Sequence, residues 1–252
     1  TQHFRAALAL ERALLPPLHP AVAGTENALA NALFQAGEVD EPAELWSAAL
    51  ATFERVLEPG HPDLVTVLAN LALVHQRQLD FEGARSELGR ALELRRATLG
   101  AAHPRTLFLL RRLADLELSA GEPAAALALA EECLAREREL AAAGTGEASG
   151  LEQALFSLAL AERASGALAA ASAHLVESLA LQSARLPADS LDLAQSRTLL
   201  GALLLQQDQP AAAERVLRAA LELLRAKLAG HWLTANTESL LGAALLAVGR
   251  VA

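Results

Sequence analysis

Three His-Pro pairs, His19-Pro20, His61-Pro62 and His103-Pro104, stand 42 positions apart, and the residues between them repeat with the same step. A period of this length belongs to supersecondary units that stack, because one such unit cannot cover its own apolar surface. The clearest copy runs from His61 to Gly100: a Pro-started apolar segment, a short polar break and a second apolar segment. Leu64, Leu68, Leu71, Ala72 and His75 fall three or four apart in the first segment, and Ala84, Leu88, Ala91, Leu92 and Arg95 do so in the second. That is helical spacing rather than strand alternation. Each unit therefore reads as an antiparallel pair of helices with one apolar stripe apiece, and the chain as an all-α stack of such pairs. Ala72, Ala84 and Ala91 take places where helix axes approach closely, so Ala84→Leu is expected to overpack the joint at a cost of about 1–3 kcal/mol.

Along the chain, residues 1–18 read as a second helix alone, since Ala7-Leu8 lies 42 positions before Ala49-Leu50. Units then follow at 19–60, 61–102, 103–147, 148–189 and 190–230, and 231–252 supplies a first helix alone, as a cap. At 141–150, AAAGTGEASG, the step lengthens by three, and its Gly and Ser residues make this the one flexible-looking join. Half-units at both ends, and no initiator Met, give the expectation of a piece cut from a longer protein whose other domains cover the capping helix. Aromatics at 3% with neither Tyr nor Met favour long helices over sheets. The net charge of −9 argues against the basic stripe a nucleic-acid surface needs. Apolar runs such as Leu199 to Leu205 fall far short of the roughly 20 residues of a membrane span, so no membrane partner and a cytoplasmic location are expected. Lys227 is the only lysine among 21 basic residues, which points to GC-rich coding DNA and a bacterial source. A single cysteine leaves no internal disulfide to form.

The order Leu68, Leu71-Ala72, His75, Ala84, Leu88 and Ala91 resembles the tetratricopeptide-repeat (TPR) pattern, with His75 and Leu68 where that pattern usually has Tyr and Trp. The 42-residue unit and its Leu-Gly-x-x-His-Pro join are similar to the kinesin-light-chain type of that family. The resemblance covers nearly the whole chain and implies a right-handed α-solenoid whose first helices line a concave groove. Carried onto this sequence, the groove would present Asn27, Asn31, Phe34 and Gln35, then Thr66, Asn70, Gln76 and Arg77. It would continue with Phe108, Arg111, Arg112 and Asp115, then Gln153, Phe156 and Arg163, then Gln195, Thr198, Gln206 and Asn236. Asn, Gln and Arg can bond an extended peptide's backbone or carboxylates, and the phenylalanines can take apolar side chains. The Arg77, Arg111, Arg112 group gives the expectation of an acidic or acidic-hydrophobic partner.

No residue set points to chemistry. His19, His61, His103 and His231 each precede a helix start a whole repeat from the next, so they are expected to cap or pack rather than converge on a metal. His75 and His174 read as packing or surface residues, and Cys133 as a small buried hydrophobe. Glu131-Glu132 and the run Glu137, Arg138, Glu139 read as solvated helix faces. No phosphate loop, nucleophile elbow, H-E-x-x-H or C-x-x-C is present. The expectation is a scaffold without catalysis, cofactor or metal, binding a protein or peptide and no nucleic acid. The competing reading is a regulatory or substrate-docking arm of a larger bacterial enzyme, in contact with its other domains. Repeats similar to these accompany Ser/Thr kinases, caspase-like CHAT peptidases and STAND ATPases. A third reading is a scaffold whose half-repeats stack head to tail.

Overall fold

The computed structural model describes Thr1–Gly249, and twelve α-helices without a strand make up the described residues. They fall into two compact units, Thr1–Ala120 and Gly121–Ala252. The first holds α1 (Gln2–Leu14), α2 (Pro20–Gln35), α3 (Asp40–Val56), α4 (Pro62–Arg77), α5 (Phe81–Leu99) and α6 (Pro104–Ala120). The second holds α7 (Pro123–Ala142), α8 (Ala148–Ala164), α9 (Leu168–Arg185), α10 (Leu191–Gln206), α11 (Pro210–Lys227) and α12 (Trp232–Ala247). Within each unit every helix packs on its sequence neighbour, as short connections between antiparallel helices require. The all-α reading of the periodicity holds, and it holds because the local start and stop signals recur with the same step.

The starts are set by histidine. His19 Nδ1 accepts the backbone N–H of Ala21 at 3.2 Å, and His61, His103 and His231 do the same for Asp63, Arg105 and Leu233. Each ring satisfies one orphan donor of a helix N-terminus, and the Pro that follows three of them has no donor to lose. The stops are left-handed residues. After α4, Leu79 at φ 61° lets the Asp80 N–H reach the His75 carbonyl at 2.8 Å, and after α10, Asp208 at φ 56° lets Gln209 reach Leu204. These six-to-one bonds occupy last-turn carbonyls that a helix cannot pair by itself.

Close approach follows the small residues. Ala72, Ala84 and Ala91 are fully buried in the first unit, and Ala159 and Ala171 pack with Leu175, Leu200 and Leu203 in the second. Between α10 and α11 even an alanine is too large: a Cβ on Gly201 would overlap Leu217 Cγ. Cys133 is a buried thiol outside any disulfide. Glu137 departs from the expected solvated face. It lies buried with its carboxylate against Gly150, because it stands on the core register, 84 positions after the buried Phe53.

Candidate functional site

The first-helix faces of the Thr1–Ala120 unit carry a chain of polar contacts. Asn27 Oδ1 on α2 accepts the indole N–H of Trp46 from α3 at 2.9 Å and the Asn31 amide at 3.4 Å. Asn31 in turn accepts from the Asn70 amide of α4 at 3.1 Å. Phe34 meets Trp46 edge-on at 5.4 Å between ring centres, and the Arg77 guanidinium lies 3.9 Å over the Phe34 ring. Gln76 donates to Ser119 on α6 at 3.2 Å, while Gln35 and Thr66 are exposed, Thr66 bonding its own helix at Pro62. On α6, Phe108 is 48% exposed, with Arg111 and Arg112 each 5.9 Å from its ring. Asp115 is on the same helix. Desolvation pushes its carboxyl above the ordinary value, with Arg112 and Arg111 pulling the other way. Burial pushes Arg112 down, opposed by Asp115.

Between the N-terminal halves of α4 and α6 opens a cleft of about 600 Å³ lined by Thr66, Asn70, Phe108 and Arg112. Arg95 of α5 and Arg105 of α6 also line it, and sequence reasoning left both out of the face. Arg95 was visible in the sequence only as a polar member of an apolar stripe. Trp46, which ties α3 to Asn27, sits on a second helix, outside the first-helix offsets that define the expected face.

The Gly121–Ala252 unit treats its expected residues differently. Gln153, Arg163, Gln195, Gln206 and Asn236 are exposed, and Phe156 is half-buried against the α8–α10 core. Thr198 is not on an open face. It is buried, bonding the Ala194 carbonyl at 2.9 Å and the Thr237 hydroxyl of α12 at 2.9 Å. His174 Nδ1 is hydrogen-bonded with the Glu162 carboxylate at 2.9 Å, a polar tie between α9 and α8. No group of three or more metal-ligating side chains, and no helix long and apolar enough to cross a membrane, occurs among the described residues.

Residues 21–86 and 63–139 match one tetratricopeptide-repeat profile, and 193–232 match a second. The chain belongs to the tetratricopeptide-repeat family. No curated protein matches it in sequence. In fold this TPR chain is similar to nearly identical TPR-like repeats named for a kinesin light chain of Podosopora anserina. Identity there is 23% and the TM-score 0.69, over 83% of this chain and 98% of that one. It is also similar to aspartyl phosphate phosphatase F of Bacillus subtilis, at 11% identity and a TM-score of 0.75, over 96% of this chain and 62% of that one. A third similar structure is a Rap protein complexed with Competence and Sporulation Factor, at 13% identity and a TM-score of 0.64, over 94% and 60% of the two chains. These likenesses establish a TPR-like α-solenoid fold.

Proposed function

We propose that this TPR chain is a non-catalytic interaction scaffold that takes an extended acidic segment of a partner protein along the first-helix faces of α2, α4 and α6. The observation that carries the reading is the half-buried amide run Asn27, Asn31, Asn70, with Arg77 on Phe34 near its α2 end and Arg111 and Arg112 about Phe108 on α6. Amides can bond a peptide backbone without demanding a sequence, and arginines beside exposed rings favour carboxylates next to apolar side chains. That a Rap protein of similar fold is named in complex with a second factor supports an interaction role. The test is capture of partners from lysate of the source cells by the whole chain and by the Arg111→Glu, Arg112→Glu double variant. The wild type should retain a partner that the variant loses by about tenfold or more, and equal retention would make the arginines bystander surface.

A second reading, a docking arm within a larger enzyme, is favoured by Trp232 and Leu246, which α12 holds largely exposed. The flanking open reading frame decides it: a kinase, peptidase or nucleotide-binding signature there would make these residues an interdomain contact.

A further inference from the structure

The cleft between α4 and α6 has a charged floor. Arg95 is only 7% exposed, lines the cleft from α5, and makes no side-chain hydrogen bond or ion pair among the described residues. Burial first, and then the like charge of Arg105, push its guanidinium below the ordinary value. Burying a cation with nothing opposite is unfavourable, so a core position rarely holds one without a ligand.

The repeat itself shows that folding does not need an arginine there. Phe53, 42 positions earlier, and Leu224, at the matching place in α11, fill the same register as buried apolar side chains. Glu137 and Gln182 hold that register in α7 and α9, so the position tolerates several chemistries. Only at Arg95 does it place a cation beneath an open cleft with further arginines, Arg105 and Arg112, on the wall. Arg112 is partly offset by Asp115, which leaves about two positive charges without a counterpart.

The geometry points to a phosphoryl-binding subsite that receives a phosphorylated side chain of the partner segment, with Arg95 at its floor and Arg105 and Arg112 on its wall. The assignment rests on the interaction reading above. A phosphoryl dianion matches the uncompensated charge, and its three oxygens can each take a guanidinium donor, where one carboxylate would satisfy half of it. Phe108 at the rim offers an apolar surface to the neighbouring residue of the segment. Nucleic acid is disfavoured because three arginines in one cleft of a chain with net charge −9 give no extended basic track.

The test titrates the whole chain with N-acetyl-phosphoserine amide, and separately with N-acetyl-glutamate amide, following the side-chain Nε–H resonance of Arg95 by NMR at fixed ionic strength. The phosphoserine derivative should shift that resonance saturably and bind about tenfold or more tightly than the glutamate derivative. In Arg95→Met, followed instead at the Nε–H resonance of Arg112 on the cleft wall, the phosphoserine affinity should fall about tenfold or more, while the thermal midpoint without ligand should rise, since the uncompensated charge is gone. The exposed Arg105→Gln variant should weaken binding without that rise. No saturable shift, or unchanged affinity in both variants, overturns the subsite, and tighter binding of the glutamate derivative overturns its phosphoryl assignment. Because the probes carry no partner sequence, their failure leaves the wider face untouched, and failure of the capture assay leaves the subsite standing.

Discussion

The two units link successive first helices in opposite ways. Asn31 and Asn70 are 39 positions apart and link α2 to α4 at half-buried positions, and Thr198 and Thr237, also 39 apart, link α10 to α12 in full burial. The longer amides reach across while staying half-buried, whereas the short hydroxyls meet in a contact sealed from solvent. The first unit adds aromatic support, Trp46 under Asn27 and Phe34 under Arg77. The second packs Ala213, Leu217, Leu221, Leu241 and Ala244 in a plain aliphatic cluster. The chemistry of a first-helix face thus depends less on the repeat than on which side chains stand at its joints.

The comparison breaks most sharply at Trp46, a large side chain only 1% exposed. Trp46→Ala leaves a cavity and strips Asn27 of its indole donor, so a loss of about 3–5 kcal/mol is expected in urea unfolding. Hydrogen exchange should quicken first in α2 to α4. A loss under about 1 kcal/mol would mean that the aromatic support is dispensable.

In the second unit the sensitive place is the tight contact, not an aromatic. Gly201→Ala forces Leu217 from its position and should cost about 1–3 kcal/mol. The same register in the first unit holds Ala30, Ala72 and Ala114, each buried and already accommodated. Changing Ala72 to Gly should therefore cost only about 1 kcal/mol, the helix-interior penalty of glycine. Equal costs for the two opposite changes would show that the α10–α11 approach is no closer than the α4–α5 one.

Smaller still are the joints themselves. A double-mutant cycle of Thr198→Val with Thr237→Val should report a coupling of about 1 kcal/mol, and one of Asn31→Ala with Asn70→Ala about half that, since water competes for half-buried amides. The reverse order would mean that depth does not set the strength of these pairs.

Helix positions were legible in the sequence because His-Pro starts, turn residues and apolar stripes all carry the same period. The placement of side chains on the first helices was legible in part. Asn27, Asn31, Phe34, Asn70 and Arg77 come together as their first-helix offsets imply. The same offset misplaced Thr198, because an offset locates a residue on its own helix and not the neighbour 39 positions on that covers it. Arg95 and Glu137 were hidden for a related reason: residue type says surface, whereas register says core. Where the two conflict, register decided both positions.

The same conflict between residue type and backbone place gives the subtlest test. Leu79 ends α4 at φ 61° with its side chain 74% exposed, so Leu79→Gly forfeits almost no packing while relieving a left-handed strain of about 1–2 kcal/mol. Glycine's greater freedom in the unfolded chain returns part of that, leaving a net gain of about 0.5–1 kcal/mol by thermal or urea unfolding. Asp208 holds the matching turn after α10 at φ 56°, but a short polar side chain tolerates this region, so Asp208→Gly should gain less or nothing. If both changes stabilise equally, side-chain size and polarity do not govern these turns. If neither does, the six-to-one bonds at Asp80 and Gln209 already offset the strain, and the leucine is as well placed as the glycines elsewhere.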